Sequence, residues 1–396
     1  MTVVAVSLFA LSVLMLAWSY LLYPPLVGRI SSRASSAKAS EARASATKAW
    51  ELAFMAGAVP RAPLAPSSLE VLISAADEEA VIGARVTNLL AQEFRGPYRV
   101  TIGCDGSRDR TAQRAREAGD ERVHVLEFGA RRGKAAVLND LVAASDADLV
   151  VFTDANTRFE PGAIGKLADA FRDPEVGAAC GRLVLEGSDV ENAFWEQETR
   201  IKEAEGRLGV CLGANGAIYA ARRSDVEPLP PDTTSMDDFL IPVRIARRGR
   251  RVVFVGDAVA REEAARDSRA EMRRRFRIGV GAGQVLRREL WLWNVPRHPR
   301  LSLAYFSRKV ARWLAPVALL AGSVAAVASP SLRPIGATLL GALLLLALSA
   351  RALPRLPGLA GRLYYFGVIN LALTAGVIAG LVGYSRPAWK PVPRLV

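Results

Sequence analysis

Three pieces decide how this chain reads: Arg132-Gly133-Lys134-Ala135, the run Leu149-Val150-Val151-Phe152-Thr153, and the Asp154-Ala155-Asn156 that follows it. A short apolar run without alternation fits a strand buried on both faces, as strands are in a parallel sheet. An acidic residue at the end of such a strand stands at the carboxyl edge of the sheet, where open α/β sheets bind ligands. A divalent cation held there can neutralise a diphosphate leaving group.

Working outward from that run, short apolar stretches alternate with helical ones. Strands are expected near Glu70–Ser74, Tyr98–Cys104 and Val123–Glu127, with helices near Glu79–Gln92, Arg110–Ala118 and Lys134–Ala144. That order predicts an α/β sheet built from crossover units. Taken alone, Asp105-Gly106-Ser107-Arg108-Asp109 is a turn that opens a helix, with Ser107 or Asp109 suited to capping it. Order and spacing add to its meaning. Asp77, Glu78 and Glu79 follow the first strand, Asp105 the second, and Asp154 with Asn156 the fourth, and polar groups converging on one sheet edge are what a binding site requires.

With 51% hydrophobic residues and a mean hydropathy of +0.17, the 396-residue chain is more apolar than soluble proteins usually are. The surplus lies in blocks. Thr2–Tyr23, Trp313–Ala328, Ile335–Ala350 and Leu363–Tyr384 read as four membrane spans, the middle two at the short end. The first lacks the basic leader of a signal peptide and is longer than a signal core, so it reads as a retained anchor. Arg29, Arg33, Lys38, Arg43 and Lys48 follow it, while Arg308, Lys309 and Arg312 precede the second run, which by the positive-inside rule puts the middle of the chain in the cytoplasm. Arg386, Lys390 and Arg394 conflict mildly with a four-span count; a re-entrant segment would remove the conflict.

The net charge of +13, from 52 Lys and Arg, raises nucleic acid as a partner. Those residues cluster beside apolar blocks or near the ligand edge, with no recognition-helix or aromatic-interleaved pattern, so membrane lipids are expected and nucleic acid is not. Cys104, Cys180 and Cys211 suggest neither a disulfide framework nor a zinc site. No Gly-x-Gly-x-x-Gly follows the first strand. Gly129–Lys134 has three residues between its glycines and no Ser or Thr after Lys134, so a dinucleotide fold and a P-loop fit poorly.

In combination, Val71–Glu79, Asp105–Asp109, Arg132–Lys134 with Asn139, Asp154–Thr157, Gly213–Gly216, Asp237 with Asp238, and Arg273–Arg277 resemble the membrane-bound family 2 glycosyltransferases of the GT-A fold. That group includes cellulose, hyaluronan and poly-N-acetylglucosamine synthases, and the resemblance runs from about Leu11 to the C terminus. It implies a GT-A nucleotide-diphospho-sugar transferase domain with transmembrane helices. Ser74, Ala76, Glu78, Asp105, Lys134, Asp154, Arg274 and Arg277 would contact the nucleotide sugar: Glu78 and Asp105 at the ribose and base, Lys134 near the phosphates. Asp154 and Asn156 would hold Mg²⁺ or Mn²⁺. Asn156 stands where the family usually has a second Asp, and an amide oxygen coordinates without adding charge.

The resemblance also makes Asp238, with Asp237 beside it, the base that takes the acceptor's hydroxyl proton, whereas the pair by itself reads equally as a helix N-terminus carrying favourable negative charge. Gly213, Asn215 and Gly216 would form an acceptor-side loop, which by itself is a tight turn before a strand. In the family's Gln-x-x-Arg-Trp register, Arg274 takes the Gln place, Arg277 the Arg place and Ile278 the Trp place. Without the stacking ring, transfer of a single sugar becomes a serious alternative to polymer synthesis. A catalytically silent scaffold is the second alternative, and retention of Asp105, Lys134, Asp154 and Asp238 argues against it.

The resulting expectation is an anchor over 1–24, a linker or membrane-lying segment over 25–68, a GT-A domain over 69–290, an interfacial helix over 291–312, about three spans over 313–384 and a tail over 385–396. The enzyme would be multi-pass in the cell membrane, as in a bacterial inner membrane, with a cytoplasmic catalytic domain. It would pass a sugar with inversion from a nucleotide-diphosphate sugar, uridine being the expected base, to a glycan or lipid-linked acceptor. Four spans are few for a secretion channel, so export would draw on partners or an oligomer.

Overall fold

A computed structural model describes residues 1–34, 66–186, 189–263, 268–349 and 358–387. The chain divides into two units. One is helical, comprising Met1–Pro24, Asp232–Met236 and Ala265–Pro387; the other is α/β, comprising Pro25–Pro231 with Asp237–Ala264.

The α/β unit is built on one eight-stranded sheet: β1 (Leu69–Ala75), β2 (Tyr98–Asp105), β3 (Val123–Phe128), β4 (Leu149–Thr153), β5 (Arg158–Phe159), β6 (Val176–Glu186), β7 (Tyr219–Arg222) and β8 (Arg251–Glu263). The spatial order is β3-β2-β1-β4-β7-β6-β8-β5. The first four strands are mutually parallel, so the ends of β1, β2 and β4 share one edge. Because β7 runs antiparallel to β4 and sets Tyr219 opposite Phe152, the loop leading into β7 returns to that same edge.

Every residue of β4 is buried, as its unbroken apolar run requires. On one face Val71, Ile73, Val100, Ile102, Leu149 and Val151 pack with Ile82, Val86 and Leu89. The last three recur at the spacing of one helical face, and they anchor the helix Ile82–Leu90. Each aliphatic chain buried in this way contributes about 1.5–3 kcal/mol.

The helical unit uses a different device. Helices Thr2–Ala34 and Pro299–Val327 are long and apolar enough to cross a membrane, and Arg333–Ser349 and Gly367–Leu381 are shorter apolar helices. Helix Ser268–Arg288 lies against helix Gly358–Leu381 with almost no side chain between the backbones. A Cβ on Gly376 would sit 2.1 Å from the Phe276 carbonyl, and one on Gly380 2.2 Å from that of Val280. From the other helix, a Cβ on Gly279 would sit 2.3 Å from the Leu373 carbonyl, and one on Gly283 2.4 Å from that of Val377. Two small-xxx-small stripes therefore interlock, the device by which helices pack closely in lipid. Further ties come from Ser12 Oγ to the Ala315 carbonyl (2.9 Å), Trp18 Nε1 to Ser307 Oγ (2.9 Å) and Arg312 Nε to Ser19 Oγ (2.8 Å).

At three places the described elements and the expected boundaries do not coincide. The expected interfacial helix over 291–312 is continuous with the span after it: from Pro299 onward the helix runs through a wider turn at Phe306–Val310 into Ala311–Val327, and even Pro316 lies inside it. Within the expected 69–290 domain, the helix bearing Arg274 and Arg277 belongs to the helical unit. The expected linker begins inside the first helix, which continues to Ala34. Its stretch 35–65, with the basic residues Lys38, Arg43 and Lys48, and the tail residues Lys390 and Arg394 lie outside the described residues.

Candidate active site

Three loops at the carboxyl edge of the α/β sheet are laced together by backbone donors and carboxylates. After β1, Asp77 adopts a left-handed backbone (φ 55°), a conformation that Asp tolerates better than most residues. Its carboxylate accepts the Arg108 N–H (2.8 Å) and pairs with Arg131 (2.6 Å). Burial pushes the Asp77 carboxyl up, but those contacts outweigh it and hold the group below the ordinary carboxylate value. The Glu78 N–H donates to Thr111 Oγ1 (2.8 Å) and the Glu79 N–H to Asp109 (3.1 Å), so the β1 loop is fastened to the β2 loop. Gly106 fits this crossing because a Cβ there would lie 2.5 Å from the Arg131 nitrogen.

Asp105 at the end of β2 accepts the Arg132 N–H (2.7 Å) on one oxygen and the Gly133 N–H (2.8 Å) on the other. The residue expected at the ribose and base thus has its carboxylate committed to the turn that launches the helix Lys134–Ala144. Gly133, at φ 97°, accepts the backbone angle that this turn requires. Lys134 is thereby delivered over the end of β4.

There Lys134 Nζ lies 2.9 Å from Asp154 Oδ1 and 3.0 Å from Asp237 Oδ2. Burial alone would push the ammonium's pKa down, but the charges of Asp154 and Asp237 overcome it and hold the value above that of an ordinary lysine. Lys134 is therefore a cation throughout the neutral range. Asp237 and Asp238 open the helix Asp237–Arg247, as their spacing before an apolar helical pattern suggested. The preceding residue, Met236, has a φ of 79°; a non-glycine residue held in this region costs about 1–3 kcal/mol and such strain concentrates at functional sites.

The loop into β7 closes the edge. A Cβ built on Gly216 would lie 3.6 Å from Asp238 Oδ2 and 3.8 Å from Asp154 Oδ2, so Gly216 leaves space between these two carboxylates. The Ala214 N–H donates to the Asp238 carbonyl (2.7 Å). Asn215 is turned inward. Its amide donates to the Gly181 carbonyl (2.7 Å) and accepts from Lys202, whose ammonium also reaches the Ala214 carbonyl (2.8 Å). The side chain of Asn215 thus shapes the loop, Gly213 is packed against Phe239, and Gly216 is the half-buried position of this segment.

Of the expected site residues, Asp105, Lys134, Asp154, Gly213, Gly216, Asp237 and Asp238 gather at one edge of the α/β unit, where Ser74, Ala76, Glu78 and Asn156 also lie on the strand ends. Arg274 and Arg277 sit in the helical unit, where Arg274 is 3.5 Å from Glu271. Sequence reasoning missed Arg131, which joins Asp77 to the Asp105 carbonyl (3.3 Å), and Lys202. Lys202 lies on a highly charged helix that reads as solvated, yet Glu198, Lys202 and Glu205 are all buried; their i, i+4, i+7 spacing was the available signal.

Among the described residues no three His, Cys, Asp or Glu side chains converge as a metal cage. The Asp154 carboxylate, whose Oδ2 borders the Gly216 position, is nevertheless a hard oxygen donor of the kind Mg²⁺ and Mn²⁺ accept, with other positions left to Asn156, water and phosphate. The residues present fit such an ion bound together with a diphosphate.

A family model described as "Glycosyltransferase like family 2" matches residues 66–281. The match covers more than half of the chain, and the chain belongs to that family. An N-acetylglucosaminyltransferase of Azorhizobium caulinodans is 25% identical over 219 residues, 50% of this chain and 55% of that protein. A beta-monoglucosyldiacylglycerol synthase of Synechocystis is 25% identical over 265 residues, 63% of this chain and 55% of that protein. The chain spans about half the length of these relatives. The mannosyltransferase PcManGT of Pyrobaculum calidifontis, solved with GDP-Man and Mn²⁺, superposes with a TM-score of 0.60 at 22% identity, covering 94% of this chain and 99% of that one. The fold is thus the GT-A fold, as the motifs implied.

Proposed function

We propose that the chain is an inverting glycosyltransferase that moves a sugar from a nucleotide-diphosphate sugar to a glycan or lipid-linked acceptor. One observation carries this reading: Lys134 bridges Asp154 and Asp237 at the sheet edge, beside Asp238 and the open position at Gly216. Asp238 takes the acceptor's hydroxyl proton, the acceptor oxygen bonds to the anomeric carbon, and the bond from that carbon to the diphosphate breaks on the opposite face. Lys134 carries positive charge toward the departing diphosphate. Asp154 and Asn156 would hold Mg²⁺ or Mn²⁺, which when bound supplies charge neutralisation of the leaving group.

The names of the relatives point to hexose or N-acetylhexosamine donors, with uridine as the expected base. The apolar helices and the basic residues beside them favour a multi-pass protein of a bacterial inner membrane with the α/β unit cytoplasmic. Transfer of a single sugar is the second reading. It is favoured by Ile278 in place of a stacking Trp and by the glycolipid synthase among the relatives.

The test is nucleoside diphosphate release by the full chain in lipid nanodiscs. UDP-N-acetylglucosamine, UDP-glucose and GDP-mannose would be offered with Mg²⁺ or Mn²⁺, membrane extract would supply the acceptor, and product size would be read in parallel. Asp238→Asn is expected to lower kcat about 10²–10⁴-fold while nucleotide binding persists. A product ladder would mark a polymerase and one added sugar a single-transfer enzyme. Full activity in the variant would remove Asp238 from the mechanism.

A further inference from the structure

Pro242 stands inside the helix Asp237–Arg247, which the acidic pair opens. A proline there has no N–H, so the carbonyl four residues earlier loses its usual partner within the helix. That carbonyl belongs to Asp238. The Ala214 N–H takes the place from outside the helix, at 2.7 Å. The main chain of the residue read as the base is thus held by the loop that runs into β7. The same loop borders its side chain, since a Cβ on Gly216 would lie 3.6 Å from Asp238 Oδ2.

Ala214 is held in turn from behind. Its carbonyl accepts from Lys202 Nζ at 2.8 Å, and the same ammonium donates to the side-chain oxygen of Asn215. Lys202 lies on the helix Asp189–Arg207, where Glu205, three residues on, accepts the Leu212 N–H at 3.0 Å. Both side chains are buried. The helix has no room to approach the sheet, because a Cβ on Gly206 would already lie 2.6 Å from the Phe254 nitrogen of β8. Taking an ammonium out of water is costly, and an apolar chain of the same length would fill the space without that cost. What the ammonium adds is direction: two charge-assisted bonds onto adjacent residues of one loop. Lys202, Ala214 and Asp238 all belong to the α/β unit.

We propose that Lys202 is a positioning residue for the transfer: acting through Ala214, it fixes the main chain of Asp238 and with it the carboxylate that takes the acceptor's proton. Pro242 is what makes Asp238 depend on the loop, by removing the donor that the helix would otherwise supply. The inference rests on the functional reading above. Lys134 and Asp154, which face the donor, stand outside this relay, so donor binding and base placement separate.

Lys202→Met keeps an unbranched chain and removes its donors. The full chain in lipid nanodiscs is assayed with whichever of the three donors turns over, and kcat is expressed per site counted by titration with that donor's nucleoside diphosphate and Mn²⁺. It should fall on the order of 10- to 100-fold, the loss that a small misplacement can cause. Donor KM should change less than about twofold, because only placement for the transition state is lost. Pro242→Ala tests the other end of the relay. It restores a helix bond and should fold at least as well as the wild type, yet kcat should fall, since the Asp238 carbonyl gains a donor that does not depend on the loop. The two losses should not add: once the helix holds the carbonyl, removing Lys202 costs little more. A lysine with only a structural role would lower the thermal midpoint and the number of binding sites while leaving kcat per site alone, and that result would overturn the proposal. So would fully independent losses in the double variant. Should Lys202→Met not fold, Pro242→Ala decides alone, and wild-type kcat in it overturns the proposal while leaving the transferase reading intact. No turnover of any donor by the wild type would overturn both.

Discussion

In the α/β unit, β1 and β4 are held by large aliphatic chains: Val71, Ile73, Leu149 and Val151 are all fully buried. In the helical unit, Gly279, Gly283, Gly376 and Gly380 meet backbone to backbone with no side chain between them. The contrast fits the surroundings proposed for each unit. In water, apolar area removed from solvent drives assembly. In lipid that term vanishes between helices, and close approach of backbones with buried polar ties takes its place. Substitution by size should therefore act with opposite sign in the two units.

The largest effects test that opposition. Gly376→Val places a branched side chain where even a Cβ meets the Phe276 carbonyl at 2.1 Å. It should cost at least about 3 kcal/mol, the upper end for overpacking, because backbone has nowhere to go. Ile73→Ala, a change in the opposite direction, should cost about 2–5 kcal/mol through lost burial and a residual cavity. Thermal unfolding in detergent, with limited proteolysis to show which unit opens first, checks both. If Gly376→Val unfolds like the wild type, the helix pair is not packed as described.

A smaller effect is expected where the α/β unit meets its ligand, because there it depends on polar lacing instead of apolar area. Asp105→Ala leaves the Arg132 and Gly133 N–H groups without their acceptor, at about 1–3 kcal/mol for each group that stays dry. Beyond that loss of stability, the turn that presents Lys134 should loosen, so nucleotide affinity should drop even where the protein stays folded. Isothermal titration with UDP on the variant, at a temperature below its midpoint, reads the second effect apart from the first. Wild-type affinity would confine Asp105 to stability.

How much of this was legible depends on how local each cause is. The four parallel strands and the helices between them could be read because runs such as Leu149–Thr153 and the Ile82, Val86, Leu89 spacing carry their own period. The mixed half could not. β6 passes through Ala178, Ala179, Cys180 and Gly181, small residues with no strand signature, and β8 mixes charges into its alternation. In the site, acidic residues at strand ends announce themselves. The capture of the Arg132 and Gly133 amides by Asp105 does not, since it depends on a contact 27 and 28 residues away. The glycine stripe was hidden by the charge of its own helix, whose Arg273–Arg277 cluster drew the reading toward phosphate.

The smallest expected effect is at Asn156, and it asks whether the edge of the α/β unit is tuned for a weakly held ion. Asn156 is half-buried two residues after Asp154, and among the described residues its amide makes no hydrogen bond, so replacing it breaks no packing or polar tie. Asn156→Asp should thus shift the thermal midpoint little, within about 0.5 kcal/mol. It adds a charged oxygen where the native residue offers at most a neutral one, and hard cations bind more tightly as the charge of their ligands rises. The Mn²⁺ concentration giving half-maximal turnover should therefore fall, and the Mn²⁺-dependent part of UDP binding should grow. Activity at saturating metal should stay near wild type, since Asp238 and Lys134 are untouched. An unchanged titration would mean that Asn156 does not face the ion, leaving Asp154, water and the donor's own phosphates to coordinate it.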